Sequence, residues 1–338
     1  MNTAVIFGGS GFIGVFFAKK LLSSGYDRIY LFDKEQVSDK PFPYRTKLVQ
    51  EDSRIIEVKG DVRQTIEWIP EESIQLTANF AAIHREPGHQ DFEYFETNLL
   101  GAENVCKWAE AVNCNQMIFT SSISPYGPSE ERRDEYSLPI PKTPYGSSKL
   151  VAEKIHESWL AKNQADRNLV IVRPGVVFGP GEGGNVSRLV KAVIHRYFFY
   201  MGNRTTRKAG TYVKELCEAL LWVLNRQKSQ GQNFSLFNMS MNPGPSIQEY
   251  VDTVCKVAEI NRKTLSLPPF AMFAAAYSID IIAKPLGIKH PFSPVRIQKL
   301  IRSNNIYPAF LVENDYEYVY TLESALRDWK EDCPSEWN

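Results

Sequence analysis

The chain has 338 residues, of which 43% are hydrophobic and 23% are charged, which is ordinary for a globular protein that builds its own core. Lysine and arginine together number 39, and so do aspartate and glutamate, so the formal net charge is zero. This composition excludes a disordered or collagen-like chain, and it gives no general attraction for nucleic acid or an anionic membrane.

The cysteines, histidines and amino terminus indicate a reduced protein of the cytoplasm. The five cysteines include no Cys-x-x-Cys pair, and the five histidines show no metal-ligand spacing. The first residues lack the basic region of a signal peptide. The longest apolar stretch, residues 270–283, contains Asp280 and is too short to span a bilayer. We expect a cytoplasmic protein with no metal, no nucleic-acid partner and no integral membrane association.

Short apolar runs alternate with longer amphipathic stretches in the first half of the chain. The predicted strands are residues 4–7, 29–32, 55–58, 74–80, 117–120 and 169–172, and the predicted helices are residues 12–24, 92–112 and 144–162. The strand runs are mostly apolar on both faces, so the alternation predicts an α/β fold with a Rossmann-type, doubly wound parallel sheet. Residues 34–53, which contain two prolines, are predicted to form a surface excursion.

The pattern changes after about Pro174. Glycine and proline punctuate residues 175–184. Further helices are predicted at residues 186–195, 213–225 and 247–258. We predict an NAD-binding Rossmann domain over residues 1–174 and a smaller, mostly helical substrate-binding lobe over residues 175–338. A strand predicted at residues 234–237 could rejoin the sheet.

The first motif is a glycine-rich turn directly after the first strand, Gly8-Gly9-Ser10-Gly11-Phe12-Ile13-Gly14. Glycines are needed there because the turn is tight, the backbone must approach a pyrophosphate, and the helix must pack close to the strand. The free N–H groups at the start of the helix favour the phosphates. Between a strand and a helix, the run predicts a dinucleotide site in preference to a merely flexible turn.

Two acidic residues follow the next strands. Asp33 ends the second strand, where a carboxylate can bond both ribose hydroxyls of adenosine and would repel a 2′-phosphate, so NAD is favoured over NADP. The adjacent Lys34 is a cation that could tolerate that phosphate. Asp61 and Val62 follow the third strand, where an acid could reach the adenine amino group.

The most informative pair is Tyr145 and Lys149, which lie four residues apart on one face of a predicted helix. Lys149 can lower the pKa of Tyr145 and hold the nicotinamide ribose, and Tyr145 can then exchange a proton with a substrate oxygen. Ser122 follows the fifth strand, and its hydroxyl can bond the same oxygen. His84 follows the fourth strand, where it could contact substrate or serve a structural role.

In chain order these motifs resemble those of the extended short-chain dehydrogenases/reductases, and in particular the NAD-dependent epimerase/dehydratase family that acts on nucleotide sugars. The resemblance also includes Asn79-Phe80-Ala81-Ala82, Asn98-Leu99-Leu100-Gly101, residues 121–127 and residues 173–181. It covers residues 1 to about 185 firmly and the remainder weakly. It implies an enzyme that uses NAD and a nucleotide-sugar substrate, with UDP as the favoured nucleotide.

By position, the resemblance assigns roles to individual residues. Ser122, Tyr145 and Lys149 would be catalytic. The residues that would hold NAD are Gly8, Gly11, Phe12, Ile13, Gly14, Asp33, Asp61, Val62, Ala81, Ala82, Asn98, Tyr145, Lys149 and Pro174. The residues that would bind substrate are His84, Asn185, Arg188 and Lys208 (or its neighbour Arg207). Asn185 and Arg188 could equally be a helix cap and a solvated arginine.

One departure from the family pattern limits the reaction. Sugar 4,6-dehydratases of the family carry Asp-Glu directly after the Ser/Thr of the fifth-strand motif, whereas this chain has Ile123 and Ser124. Water elimination needs an acid and a base, so dehydration is disfavoured. We expect a UDP-sugar 4-epimerase, with a nucleotide-4-keto-sugar reductase as the alternative.

Two apolar segments leave other hypotheses open. Residues 197–201 and 270–283 could form the core of the smaller lobe, a lid over the sugar, or a membrane-surface contact for a lipid-linked or hydrophobic substrate. A dehydrogenase of a sterol-like alcohol and a non-catalytic NAD-binding regulator are therefore further candidates. The intact Ser122, Tyr145 and Lys149 set argues against the regulator.

The helices at residues 92–112 and 144–162 flank the catalytic strand, and in the resembling family such helices pair with those of a second copy. The first helix carries more apolar surface than one sheet face needs. Its apolar residues are Phe92, Phe95, Leu99, Val105, Trp108 and Val112. We expect a homodimer.

Overall fold

The computed structural model describes residues 1–86, 88–262, 264–267 and 303–338. Its first half alternates strands and helices as predicted. In chain order the elements are β1 (Thr3–Phe7), α1 (Phe12–Ser23), β2 (Arg28–Asp33), α2 (Pro43–Gln50), β3 (Ile55–Lys59), β4 (Leu76–Asn79), α3 (Asp91–Ala111), β5 (Gln116–Thr120), β6 (Ser129–Arg133), α4 (Pro144–Ala161) and β7 (Asn168–Pro174).

The second half mixes short strands with helices. Its elements are β8 (Val176–Phe178), α5 (Asn185–Ile194), β9 (Tyr200–Met201), β10 (Gly210–Tyr212), α6 (Val213–Gln230), β11 (Phe234–Met239), α7 (Ile247–Val257), β12 (Ser266–Leu267), β13 (Asn304–Ile306), α8 (Ala309–Glu313) and α9 (Leu322–Asp332). The segment 270–283, singled out above for its apolar character, lies outside the described residues. None of the helices in the described part is long and apolar enough to cross a membrane.

Seven strands form one parallel sheet in the order β11-β7-β5-β4-β1-β2-β3. Every residue of β1 is buried, which explains why the strand is apolar from Ala4 to Phe7. The chain runs outward from β1 through β2 to β3, and then outward on the other side from β4. The strand order therefore reverses between β1 and β4, and in such sheets the crevice at the carboxyl ends of these two strands is where ligands bind.

Helices cover both faces of the sheet. On one face α1 packs against α6, with Phe17 and Leu216 in the apolar layer. On the other face α3 packs against α4, with Trp108 and Trp159 buried beneath them. The strand predicted at residues 234–237 does rejoin the sheet, since β11 pairs with β7 from Phe234↔Leu169 to Met239↔Pro174. The division into two domains at residue 174 remains a prediction.

The structure departs from the sequence prediction between β2 and β3. Residues 34–53 were expected to form a surface excursion, but they contain helix α2, in which Arg45 and Val49 are buried. Pro43 begins this helix and does not interrupt it, because the first helical position needs no N–H donor. The short parallel pair β6–β13 was not predicted.

Candidate cofactor and active site

The backbone around the glycine turn packs so tightly that it leaves no room for side chains at these glycines. Gly8 has a φ of 72°, and a Cβ there would lie 2.6 Å from the backbone nitrogen of Ala81. A Cβ on Gly14 would lie 2.5 Å from the carbonyl oxygen of Gly9. The N–H groups of Gly8 and Gly9 donate to the carbonyl of Phe32 at 2.9 and 3.3 Å, which fixes the turn against β2.

The start of α1 is open to an anion. Gly11 is its N-cap residue and supplies no side-chain hydrogen bond, so N–H groups of the first turn have no side-chain partner there. Phe12 and Ile13 begin the helix at the switch point of the sheet. Free N–H donors beside a close-packed glycine turn fit the pyrophosphate of a dinucleotide.

The two acidic residues of the predicted adenosine site are both engaged by cations. Asp33 accepts a hydrogen bond from the Glu35 N–H at 3.2 Å, and its carboxylate lies 3.6 Å from the Lys40 ammonium. Asp61 accepts hydrogen bonds from the Arg63 guanidinium at 2.6 to 3.1 Å, and these bonds lower the pKa of Asp61.

Val62 packs against α3, where a Cβ on Gly101 would lie 2.9 Å from the Val62 side chain. Pro174 ends β7, is buried, and accepts a hydrogen bond from the Ile123 N–H at 3.2 Å. Val62 is therefore in contact with α3, and Pro174 is bonded to the segment that follows β5.

Asn98 ties together three parts of the site. Its side-chain oxygen accepts from the Ile83 N–H at 3.0 Å, and its amide donates to the Ile83 carbonyl at 3.3 Å. The same amide donates to the Ser148 hydroxyl at 2.8 Å. The segment with Ala81 and Ala82 is thereby held against α4, one residue before Lys149.

Tyr145 and Ser122 face each other at the start of α4. Thr143 caps this helix by accepting from the Gly146 N–H at 3.1 Å. The side chain of Tyr145 is half-buried, and loss of hydration raises its pKa to about 12, although its hydrogen bond with Ser122 opposes that rise. The Ser122 hydroxyl also donates to the Ser124 hydroxyl at 3.1 Å.

Lys149 is 2% exposed, and its ammonium lies 4.2 Å from the centre of the Phe119 ring. Burial lowers its pKa to about 7, while the negative charge of Glu153 acts in the opposite direction. Burial therefore disfavours the charged form of both groups, the phenolate and the ammonium, and the lowering of the Tyr145 pKa by Lys149 stays a prediction.

A buried ion pair beside Lys149 was not predicted from the sequence. The guanidinium of Arg173 donates to both oxygens of the Glu153 carboxylate, at 2.8 and 2.6 Å, and the Ser121 hydroxyl donates to the same carboxylate at 2.5 Å. Glu153 lies four residues after Lys149, so the spacing of Tyr145, Lys149 and Glu153 along one helix face was a signal that could have identified it.

His84 lies at the expected cleft, and its side chain remains open to solvent. Its pKa is lowered by partial loss of hydration and by the positive charges of Arg85 and Lys149, which places the imidazole within electrostatic reach of Lys149. The segment is anchored by the Tyr94 hydroxyl, which donates to the Arg85 carbonyl at 2.5 Å. The Tyr94 ring lies 6.1 Å from the Tyr145 ring.

Asn185 and Arg188 lie together on the exposed side of α5, and Arg188 donates to the Asn185 side chain at 2.6 Å. The carboxylate of Glu182 serves the start of this helix by accepting from the N–H and the hydroxyl of Ser187 at 3.0 and 2.5 Å. No contact in the described part of the chain joins Asn185 or Arg188 to Tyr145.

Lys208 lies next to the apolar cluster formed by Ala209, Tyr126, Ile306 and Ile123. Burial lowers the pKa of Lys208 to about 8, against the opposing charge of Glu130. This cluster therefore brings Ala209, the chain neighbour of Lys208, together with Ile123, which directly follows Ser122.

Three comparisons with known proteins bear on this site. The sequence model of the "NAD dependent epimerase/dehydratase family" matches residues 4–238. The N-acetyl-alpha-D-glucosaminyl-diphospho-ditrans,octacis-undecaprenol 4-epimerase of Escherichia coli O157:H7 is 27% identical over 96% of this chain and 93% of its own. The UDP-glucose 4-epimerase of Bacillus subtilis is 26% identical over 45% of this chain and 46% of its own.

Solved structures share the fold. The UDP-glucuronic acid 4-epimerase from Bacillus cereus in complex with NAD has a TM-score of 0.74 at 18% identity, covering 99% of this chain and 100% of that one. The UDP-Glc/GlcNAc 4-epimerase from Campylobacter jejuni has a TM-score of 0.73 at 18% identity, covering 98% of this chain and 100% of that one.

Proposed function

The chain belongs to the NAD dependent epimerase/dehydratase family, and from that premise we propose that it is a 4-epimerase of a diphosphate-linked sugar, with UDP-sugars as the leading substrates. The observation that carries the proposal is the grouping of Ser122, Tyr145 and buried Lys149 near the carboxyl end of β5, which only β4 separates from β1 and its glycine turn.

The cofactor is NAD, and the residues present fit it. Glycines 8, 11 and 14, with Phe12 and Ile13, form the turn and helix start that would hold the pyrophosphate. Asp33 would bond the adenosine ribose, and Lys149 would bond the nicotinamide ribose. The chemistry that NAD supplies when bound is reversible hydride transfer with carbon 4 of the sugar.

Side chains of the protein carry out the proton transfer that accompanies this hydride transfer. Tyr145 exchanges a proton with the sugar oxygen O4 as the alcohol becomes a ketone and again as it is restored. Ser122 holds the same oxygen and is already hydrogen-bonded to Tyr145. Lys149, when protonated, favours the phenolate of Tyr145 and so opposes the effect of burial.

Epimerisation is favoured over the neighbouring reactions of the family. Dehydration lacks its acid pair, because Ile123 packs into an apolar cluster and Ser124 bonds Ser122. A 4-keto-sugar reductase would need the same catalytic residues and would differ in exchanging its cofactor at every turnover. The relatives and structures named above are called 4-epimerases, which supports the proposal.

A second candidate substrate is a sugar diphosphate linked to a polyprenol. The relative from Escherichia coli O157:H7, which matches nearly the whole chain, is named for such a substrate. In this chain Tyr197 is 62% exposed and Leu265 is 74% exposed. The Tyr200 N–H donates to the Leu265 carbonyl at 2.8 Å, so the segments that carry the two exposed side chains are neighbours. Apolar residues on that surface would suit a lipid-linked substrate better than a free nucleotide sugar.

The deciding experiment incubates the purified enzyme, without added cofactor, with UDP-glucose, UDP-N-acetylglucosamine and N-acetylglucosaminyl-diphospho-polyprenol in detergent. Inversion at carbon 4, followed by NMR, identifies an epimerase and its substrate. No inversion of these sugars, together with reduction of a nucleotide 4-keto sugar at the expense of one NADH per product, would make the enzyme a reductase. Oxidation of a sterol-like alcohol in place of any sugar would overturn the proposal, and Tyr145→Phe is the inactive control.

We also propose that the enzyme is a homodimer and acts in the cytoplasm. On α3, Phe92 is 66% exposed, Leu100 is 42% exposed and Phe95 is exposed as well. On α4, Val151 is exposed. Trp108 and Val105 do not contribute, since both are buried within the chain. The exposed apolar side chains lie on the two helices that flank β5 and would be covered by the same helices of a second copy.

A further inference from the structure

Two arginines among the described residues are buried, and only one of them is paired. Arg173 is 3% exposed and holds Glu153 through two hydrogen bonds. Arg45, on α2, is also 3% exposed, yet its Nε atom has no hydrogen-bond partner. Within the described ranges, no carboxylate lies within 4 Å of its guanidinium. Buried charges are ordinarily paired, so Arg45 is a cation for which the described residues supply no anion, and it is available to an anionic ligand.

The nearest carboxylates are occupied elsewhere. Glu336 and Asp33 are close enough for their charges to act on Arg45, but burial dominates and lowers the pKa of Arg45 to about 10. Both oxygens of Glu336 accept from the Gly181 N–H at 3.2 Å, and one also accepts from the Trp329 indole at 2.6 Å. Asp33 faces the Lys40 ammonium at 3.6 Å.

The surroundings of Arg45 hold its side chain in one place. Its guanidinium carbon lies 3.9 Å from the centre of the Phe42 ring. A Cβ on Gly181 would lie 3.2 Å from the Arg45 Cγ, so the side chain runs directly against the loop that follows β8. A guanidinium stacked on a ring and packed against a loop has lost most of its freedom and is preorganised for binding.

Two segments next to Arg45 also adjoin the glycine turn and the start of α1. On one side, Asp33 directly follows Phe32, whose carbonyl receives the N–H groups of Gly8 and Gly9. On the other side, the loop of Gly181 begins at Gly179, where a Cβ would lie 3.5 Å from the ring of Phe12, the first residue of α1. Arg45 therefore contacts the loop of Gly181 and lies within electrostatic reach of Asp33, and both of these segments adjoin the start of α1.

We propose that Arg45 is a cofactor-binding residue whose guanidinium donates hydrogen bonds to the pyrophosphate oxygens of NAD. With the N–H groups at the start of α1 it completes an anion site of one full positive charge and several fixed donors. The proposal concerns the cofactor alone and is independent of which sugar the enzyme takes. An enzyme that must keep its cofactor through a full reaction cycle gains slower dissociation from such a contact.

The test uses the full chain freed of cofactor and measures binding of NAD, ADP-ribose and adenosine by calorimetry. Arg45→Met should weaken NAD and ADP-ribose by about 10- to 100-fold, as loss of a charge-assisted hydrogen bond does, and leave adenosine unchanged. Lys47→Met is the matched control, because Lys47 lies on the same helix but is exposed and pairs with Glu51. It should bind all three ligands normally.

Three outcomes would overturn the proposal: unchanged NAD affinity, an equal loss for adenosine, or an effect confined to NADP. The last would assign Arg45 to a 2′-phosphate. Arg45→Gln keeps a polar end that can stack on Phe42 and carries the same expectation, so it decides the question if Arg45→Met does not fold. A second readout is the rate at which the cofactor leaves either variant. The cofactor is bound in its reduced, fluorescent form, NADH, and the change in its fluorescence on release should be faster than in the native chain.

Discussion

The Glu153 carboxylate accepts two hydrogen bonds from the Arg173 guanidinium, at 2.8 and 2.6 Å. Glu153 lies one helical turn beyond Lys149 on α4. The pair is almost completely shielded from solvent, with side-chain exposures of 0% and 4%. It links α4, the helix that carries Tyr145, to the end of β7, so this helix and the sheet are joined by charge as well as by apolar packing.

Glu153→Gln should therefore destabilise the protein strongly. The substitution leaves Arg173 buried without its counter-charge, which typically costs about 3–5 kcal/mol of unfolding free energy. Urea unfolding measures this loss. Glu157→Gln on the same helix, which removes an exposed pair with Lys154, should cost less than about 1 kcal/mol. Equal effects of the two substitutions would contradict the role given to the buried pair.

Tyr145→Phe should leave NAD binding nearly intact and reduce turnover by about 10²–10⁴-fold, because the ring still packs but the transferable proton is gone. Initial rates and the NAD content of the purified variant are the two measurements. Tyr136→Phe, at a residue whose hydroxyl bonds Glu313 at 2.7 Å on the surface, should retain full activity. A near-normal rate for Tyr145→Phe would remove the proposed reaction class.

Lys149→Met should lower both turnover and NAD affinity, and it should also change how stability depends on pH. The folded pKa of Lys149 is about 7, below the ordinary value of 10.5. Between these pH values the unfolded chain holds a proton that the folded chain does not, so Lys149 makes stability rise with pH across that window. The variant should lose this rise, whereas Lys154→Met should keep it. Unfolding curves at pH 7, 8.5 and 10 provide the comparison.

NAD should bind more tightly than NADP, by roughly 10- to 100-fold, because the Asp33 carboxylate repels a 2′-phosphate at short range. Lys40, at 3.6 Å from that carboxylate, reduces the repulsion without cancelling it. Titration of the cofactor-free protein with both dinucleotides measures the ratio. Asp33→Asn should reduce the ratio of NAD affinity to NADP affinity. An equal or reversed preference in the native chain would refute the role of Asp33.

Phe92→Glu combined with Leu100→Glu should convert the proposed homodimer into a monomer at micromolar concentration. Both side chains are exposed on α3, and a buried charge in an apolar interface opposes association. Light scattering reports the mass. Ile69→Glu, at an exposed apolar residue elsewhere on the surface, should leave the mass unchanged. A native chain that is monomeric under the same conditions would refute the dimer.

The sequence predicts those elements whose residues all lie in the same kind of environment, such as a strand that is buried along its whole length. The buried strand β1 is apolar from Ala4 to Phe7, and the turn from Gly8 to Gly14 has a composition that few other structures require. In contrast, β6 reads Ser-Glu-Glu-Arg-Arg, and its partner β13 begins 171 residues further along (304 less 133). Pairing of two polar segments across that separation has no local signature.

The buried polar residues were harder to predict for a related reason. Arg45 lies in a polar stretch with two prolines, so nothing in its sequence neighbourhood marks it as buried. Glu153 did carry a signal, its helical spacing from Lys149, but charged residues at that spacing are usually on a solvated face. What distinguishes both residues is the tertiary environment: a loop glycine against Arg45, and the end of β7 against Glu153.

The place of β11 has a consequence for how the chain can be divided. This strand comes from residues 234–239, yet it is the outer neighbour of β7 and matches it along six consecutive residue pairs. A polypeptide ending at residue 174 would keep the glycine turn, Tyr145 and Lys149 but would present the whole of β7 as an unpaired edge. Such an edge is a template for strand addition, so the truncated polypeptide would self-associate through β7 instead of behaving as a small autonomous nucleotide-binding module.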